Sequence, residues 1–205
     1  MRLEYQHRKY FDMKFDKNTT FEEFLIYSNI FNIEQEKLNE FFEKIGKRKK
    51  PAKIAGVELP NDLNELTFGQ FARLAEIKTS EQLFSVPFEV ILNLKQEQIL
   101  KCKLFDIISF VVFVSKEIER INKKFESIKN KPSAEEIQAG IEKLNFGLFG
   151  LLDWYCRRMG IADHDKGMEV GWLRIFECLR IDNETAKFQE NLRKVYEKKN
   201  NPKKK

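Results

Sequence analysis

Residues 104–128, LFDIISFVVFVSKEIERINKKFESI, contain the pattern that decides the fold. Apolar residues recur in this stretch at intervals of alternately three and four positions, which places them on one face of an α-helix. The residues with this spacing are Leu104, Ile107, Val111, Val114, Ile118, Ile121, Phe125 and Ile128. The unbroken spacing predicts one long amphipathic helix that buries this face.

A second run with the same spacing follows Pro132, which is expected to end the first helix. Its apolar positions are Ile137, Ile141, Leu144, Leu148, Leu151 and Tyr155. Two such helices joined by a short turn predict a long antiparallel αα-hairpin at about 104–158, with arms at 104–129 and 134–158. Gly140, Gly147 and Gly150 lie inside the second arm, where they either permit close approach to a bulky neighbour or are simply tolerated.

Helix-start signals occur throughout the chain and favour a mainly α fold, a helical bundle. In a capping box, Ser or Thr is followed three residues later by Glu or Gln. Such pairs are Thr20 with Glu23, Thr67 with Gln70, Thr79 with Gln82 and Ser133 with Glu136. Besides the hairpin, the patterns predict helices at about 21–31, 33–45, 67–77, 80–93, 96–101, 166–180 and 184–198, with IDNET (181–185) as a break. The first fifteen residues are expected to form a short strand or an extended arm.

The domain organisation predicted from composition follows the chain in order. A length of 205 residues with 42% hydrophobic residues is enough for a packed core. We expect an N-terminal arm and helical pair at 1–46 and a basic linker at 47–60. A main helical domain at 61–198 and a basic tail at 199–205 would complete the chain.

Positive charge is concentrated in two segments of a chain whose net charge is +5. KRKKPAK (47–53) and KKNNPKKK (198–205) each contain five basic residues and no acidic one, so the rest of the chain is mildly acidic. We expect these segments to attach to acidic surfaces of neighbouring subunits or, as the alternative, to nucleic-acid phosphates. The candidate attachment residues are Lys47, Arg48, Lys49, Lys50, Lys53, Lys203, Lys204 and Lys205.

The stretch 153–167, DWYCRRMGIADHDKG, combines a cysteine, a histidine and three aspartates, and raises the question of a metal or catalytic site. Zinc ligands are expected in spaced pairs, whereas Asp163, His164 and Asp165 are adjacent, so that their side chains diverge. Gly160 is expected to end the preceding helix, and Asp163 or Asp165 to cap the next one. The pattern therefore predicts a turn, with no metal and no cofactor.

Sequence motifs of the common enzyme classes are missing from the chain. It contains no GxxxxGK[ST], GxGxxG, GxSxG or HExxH motif, and its paired carboxylates lie at helix starts, where they favour the helix dipole. Its three widely spaced cysteines are expected to be reduced thiols. The first fifteen residues lack a continuous apolar run, so a secretory signal is not expected there, and the longest nearly apolar run, 104–114, is too short to span a bilayer. A non-enzymatic protein that acts by binding, and not at a membrane, is expected.

Residues 59–77, LPNDLNELTFGQFARLAEI, contain a helix-starting element at 66–71, LTFGQF. This stretch, with the apolar segments that follow to about 120, resembles tail-assembly chaperone-like proteins of tailed bacteriophages. Two C-terminal stretches, DWYCRRMG and WLRIFECLRIDNETAKF, look similar to proteins from the structural-gene modules of Bacteroidetes-infecting, crAss-like phages. The resemblance implies a virion protein that is made in the cytoplasm of a bacterial host.

The resemblance further implies a role in morphogenesis, as an auxiliary protein at the portal vertex or head–tail connector. Its partners would be capsid, portal or connector proteins, and several copies would be present in the assembly. Two alternatives are a non-virion tail-assembly chaperone and a small basic DNA-associated protein. Aromatic residues are candidate interface anchors, although most are expected to lie in the core. They are Phe41, Phe42, Phe84, Phe105, Phe146, Phe149 and Trp154.

Overall fold

A computed structural model describes residues 15–31, 40, 42–45, 48–130, 132–144 and 146–200. These residues are mainly helical and include one small two-stranded sheet, which confirms the mainly α fold. The elements are α1 Phe21–Phe31, β1 Lys53–Ile54, β2 Val57–Glu58, α2 Phe68–Ala75, α3 Ser80–Leu83, α4 Val86–Leu92, α5 Gln96–Leu100, α6 Leu104–Ser127, α7 Ala134–Gln138, a 3₁₀ turn Ile141–Lys143, α8 Gly147–Met159, α9 His164–Met168 and α10 Trp172–Asn200. Of the helix expected at 33–45, residues 40 and 42–45 are described and helical. The N-terminal arm lies outside the described residues except for Phe15.

The chain divides into two compact units that interleave along the sequence. Unit 1 comprises residues 1–63 and 73–118, and unit 2 comprises 64–72 and 119–205. The division expected from composition follows the chain in order, whereas α2 and α6 each contribute to both units. A helix can be shared in this way when its two ends bury their apolar faces among different neighbours.

The first arm of the predicted hairpin is present as α6, one uninterrupted helix. Every position of its apolar spacing is buried except Ile118, which is half-buried. In unit 1, Phe110 of this helix packs edge-on against Phe88 of α4, with ring centroids 4.9 Å apart. The spacing in the sequence therefore identified both the helix and its buried face.

The second arm was predicted wrongly as one helix, because the chain breaks into α7, the 3₁₀ turn and α8. Gly140 and Gly147 have positive φ angles of 88° and 55°, a conformation that glycine adopts readily and that ends regular helix. Ile137, Ile141 and Leu144 are exposed as a result, and α8 packs against α9 and α10. Of the three glycines in this arm, Gly150 makes the expected close approach to a bulky neighbour. A Cβ at this position would lie 2.5 Å from the Phe146 Cβ.

In unit 1, the start of α1 is joined to the start of α6 by backbone hydrogen bonds. The Phe21 amide donates to the Cys102 carbonyl, and the Leu104 amide donates to the Thr19 carbonyl, both at 2.9 Å. The segment expected to be a basic linker contains the β1–β2 hairpin, in which Lys53 pairs with Glu58. The two residues of its turn have positive φ angles, 49° at Ala55 and 82° at Gly56, as tight hairpins require.

In unit 2, the LTFGQF element lies against the segment that precedes α10. The Phe68 amide donates to the Val170 carbonyl at 2.7 Å, and the Trp172 amide donates to the Leu66 carbonyl at 3.2 Å. A Cβ on Gly69 would lie 3.2 Å from the Met168 carbonyl oxygen, so any side chain here would press on the backbone of the segment before α10. The aromatic core beneath consists of Phe68, Phe71, Phe125, Trp172 and Phe176.

The predicted break at IDNET is wrong, since α10 runs without interruption from Trp172 to Asn200. Asp and Asn cost a helix less than about 0.7 kcal/mol each, and no Gly or Pro lies within α10. Two tertiary contacts compensate for that cost. Asp182 accepts hydrogen bonds from the Arg158 guanidinium at 3.0 and 3.1 Å, and the side-chain amide of Asn183 donates to the Ile128 carbonyl at 2.8 Å.

No helix in the described part of the chain is long and apolar enough to cross a membrane.

Candidate protein-interaction surface

The candidate aromatic anchors divide into packed and exposed residues. Phe42, Phe84, Phe105 and Trp154 are half-buried, and the Phe42 and Phe84 rings lie 5.9 Å apart in unit 1. The side chain of Phe41 lies outside the described part of the chain. By contrast, Phe146 and Phe149 are largely exposed, with 68% and 61% of their surface accessible to solvent. These two rings are therefore the members of the set that are available to a partner.

Phe146 and Phe149 belong to a group of exposed apolar residues in the broken second arm. The aromatic patch, as we name it, consists of exposed residues close together in sequence. Its members are Ile137, Ile141, Leu144, Phe146 and Phe149. Single exposed apolar side chains are common on folded proteins, whereas five large ones between residues 137 and 149 form a candidate interaction surface.

Local structure holds the aromatic patch in place at both ends. At one end, Ser133 and Glu136 form the expected capping box of α7, since the Ser133 hydroxyl accepts from the Glu136 amide at 3.2 Å. At the other, the Phe149 ring lies 5.3 Å from the His164 ring, and Gly150 leaves space for the Phe146 Cβ. The two phenyl rings are thus presented from a folded segment, which lowers the entropy lost when a partner binds.

The stretch 153–167 forms the end of α8, a turn and the start of α9. Asp163 is the N-cap of α9, as expected, and its carboxylate accepts a hydrogen bond from the Asp165 amide at 2.9 Å. Asp153 lies between two partners, the Arg157 guanidinium and the His164 Nε2 at 3.3 Å. Among the described residues, no three side chains of His, Cys, Asp or Glu lie close enough to hold a metal ion. These contacts order the turn between α8 and α9.

Cys156 is packed against the backbone of α9. The thiol is buried, and this burial, together with the nearby Asp163 carboxylate, raises its pKa, which disfavours the reactive thiolate. A Cβ at Gly167 would lie 2.5 Å from the Cys156 Sγ and 2.9 Å from Leu152 Cδ1. A side chain at 167 would therefore force Cys156 or Leu152 to move.

Gly167→Ala is expected to destabilise unit 2 by about 1–3 kcal/mol, because the added methyl group overpacks a buried contact. Gly171→Ala is the matched control, since the nearest atom to its Cβ would be 4.0 Å away. Urea unfolding of both variants measures the difference. The loss of unfolding free energy caused by Gly167→Ala should be smaller in a chain that also contains Cys156→Ala. An equal loss with Cys156 and with Ala at position 156 would contradict this explanation.

The basic segment at 48–53 lies on unit 1 and is not a free linker. The Arg48 guanidinium is 4.5 Å from the centroid of the Phe105 ring, and the Lys50 ammonium is 4.1 Å from that of Phe113. Lys50 also donates to the Pro60 carbonyl, and its burial lowers the pKa of the ammonium group, against the raising effect of Glu117 and Asp62. Lys53 pairs with Glu58 at 3.0 Å.

The candidate attachment residues are thus not brought together into one described site. Lys49 is exposed, whereas Arg48, Lys50 and Lys53 each have a partner within unit 1. Cation–π contacts of the kind made by Arg48 and Lys50 are worth about 0.5–1 kcal/mol at exposed sites, so they favour this packing without fixing it. Lys47, Lys203, Lys204 and Lys205 lie outside the described residues, and their proposed role as attachment points stays a prediction.

The sequence patterns did not identify the aromatic patch as a surface. Ile137, Ile141 and Leu144 were assigned to the buried seam of a hairpin, because their spacing equals that of the buried residues in α6. The available signal was the pair of glycines at 140 and 147, which interrupt that run.

Comparison of the chain with protein-family models, curated proteins and solved structures finds no match.

Proposed function

We propose that this chain is a non-enzymatic bacteriophage morphogenesis protein, built into the virion at the portal vertex or head–tail connector. The resemblance of residues 59–77 and of the C-terminal stretches supports the phage assignment. The exposed aromatic patch, with Phe146 and Phe149 as its two aromatic members, supports action through protein–protein contacts. This patch is the single observation on which the contact function rests.

The chemistry of the aromatic patch defines the kind of surface that it would bind. Burial of a phenyl ring contributes about 1.5–3 kcal/mol, and aromatic side chains are frequent among the residues that dominate binding. Two exposed carboxylates, Glu135 and Glu136, lie at the start of α7 beside the patch in sequence. The complementary surface on a capsid, portal or connector protein would be an apolar pocket with basic residues at its rim.

The test is the double substitution Phe146→Ser with Phe149→Ser in the phage that encodes the chain. Each anchor contributes about 2 kcal/mol, so the pair should weaken partner binding by at least ~100-fold and deplete the protein from purified particles. Mass spectrometry of the virions measures its copy number. Ile26→Ser, at an exposed apolar residue of unit 1, is the matched control and should leave the copy number unchanged.

Two outcomes would select the alternatives. If the wild-type chain is absent from virions but is bound to another phage protein in infected-cell lysate, it is an assembly chaperone. The chain is a DNA-associated protein if it binds DNA with a salt dependence typical of phosphate contacts, in which log K falls with log salt by about 0.9 for each contact. In that case, the double substitution Phe146→Ser with Phe149→Ser should leave the affinity for DNA unchanged. Normal incorporation of the doubly substituted chain would show that the aromatic patch is not its attachment surface.

A further inference from the structure

The C-terminal part of α10 displays a second apolar surface, separate in sequence from the aromatic patch. Ile181, Phe188 and Val195 are 50%, 60% and 48% exposed, and they recur every seven residues. Thr185 and Leu192 fill the intermediate positions, so that the spacing is four, three, four and three. We name these five residues the α10 seam. The pattern is that of a helix that packs along another helix.

This part of α10 is held to unit 2 at its beginning, and the residues beyond are largely open to solvent. Trp172, Ile175 and Phe176 are the buried residues of α10. Asp182 and Asn183 contact Arg158 and Ile128. From 184 to 200 every residue is exposed except Leu192, which is half-buried.

Surface ion pairs are the described interactions that support this exposed helix. Lys187 lies 3.2 Å from Glu184, Lys194 lies 2.5 Å from Glu190, and Arg193 lies 3.5 Å from Glu197. Such pairs contribute only about 0.3–0.5 kcal/mol each. Helical stability in proteins comes mainly from burial of an apolar face. A helix with this composition therefore gains most of its stability when the seam is covered.

The charges beside the seam identify what covers it. The first half of the exposed helix, 184–191, is mildly acidic, with Glu184 and Glu190 against Lys187. The second half is basic, since its charged residues are Arg193, Lys194, Glu197, Lys198 and Lys199. A helix with this gradient is complementary to a second copy of itself in the antiparallel direction. Parallel copies would bring the two basic ends together, which is unfavourable.

We propose that a second copy of this chain docks antiparallel on the α10 seam. Heptad geometry then sets Phe188 opposite Leu192 of the second copy, and Thr185 opposite its Val195. At the flanks, Glu184 lies opposite Lys198 of the second copy, and this ion pair occurs twice by symmetry. The seam is about 21 Å long, so the contact is small and the association depends on concentration.

This interface does not depend on the proposed function, because it uses neither the aromatic patch nor the phage assignment. It would nevertheless supply a contact between copies, as a protein present many times in one assembly requires. The same antiparallel pairing would bring each basic C-terminal segment beside the acidic half of the other helix, which gives residues such as Lys198 and Lys199 an acidic surface to meet.

Sedimentation velocity of the full chain, from about 1 μM to about 1 mM, tests the interface over the range of weak to moderate affinities. The wild-type chain should shift from monomer to dimer with rising concentration. Leu192→Asp should remove the shift. Ala186→Asp, which places the same charge on the outer face of the same helix, should leave the shift unchanged. Circular dichroism of both variants verifies that the fold is retained.

Charge reversal tests the antiparallel direction. Glu184→Lys and Lys198→Glu should each weaken the dimer by about 2- to 10-fold, and the chain with both changes should recover wild-type association. In a parallel pair, Glu184 would lie opposite Gln189, so the second change would not restore binding. A chain that stays monomeric up to about 1 mM, a dimer that tolerates Leu192→Asp, or a double variant without recovery would each overturn the antiparallel interface.

Discussion

Val114→Asp is expected to destabilise unit 1 by more than about 4 kcal/mol and to prevent cooperative folding of that unit. Val114 is buried in the middle of α6, between the equally buried Val111 and the half-buried Ile118. A carboxylate at this position would lose its hydration without gaining a partner, and such burial of a charge is among the most destabilising substitutions known.

The matched control for this prediction is Ser115→Asp. Ser115 is the next residue of the same helix and is exposed, so the same side chain should cost less than about 0.5 kcal/mol there. Urea unfolding followed by circular dichroism compares the two variants. Equal stability of the two would mean that the face of α6 that contains Val114 is not buried.

Trp172→Ala is expected to destabilise unit 2 by about 3–5 kcal/mol, the range typical of large aromatic residues that are removed from a core. Trp172 is fully buried, and its ring centroid lies 6.3 Å from Phe71, 6.1 Å from Phe125 and 6.4 Å from Phe176. These partners come from three helices, α2, α6 and α10, so the cavity cannot close without moving several backbone segments.

Trp154→Ala serves as the comparison, because Trp154 is the only other tryptophan in the sequence and is half-buried. It should cost roughly half as much, in proportion to the apolar area that it removes from water. Thermal unfolding monitored by circular dichroism measures both variants. A larger loss for Trp154→Ala than for Trp172→Ala would show that the core of unit 2 is centred elsewhere.

Features that depend on neighbouring residues in the sequence were correctly predicted. The four expected capping boxes are present at Thr20, Thr67, Thr79 and Ser133, and Asp163 caps α9. Each consists of a side chain that bonds to a backbone group two or three residues away, so three or four letters of sequence specify it. Gly160 ends α8 in the left-handed conformation for the same local reason.

The candidate site could be predicted only in part, since exposure is not a property of a residue type. Phe105 and Phe149 are both phenylalanines in helices with apolar spacing. Phe105 is half-buried with Arg48 over its ring, whereas Phe149 is largely exposed. The difference comes from which segments fold back onto each helix, and no local pattern encodes that information.

The sequence by itself determined the helical class, the course of α6 and the positions of the helix caps, because periodicity and capping act over a few residues. Only the tertiary structure decided that the run from Ile137 to Tyr155 breaks at Gly140 and Gly147, although its spacing matches that of α6. It also decided that α10 continues through Asp182 and Asn183, whose partners Arg158 and Ile128 are distant in sequence. An apolar face is buried only where another part of the chain, or a partner, covers it, and that depends on contacts between distant residues.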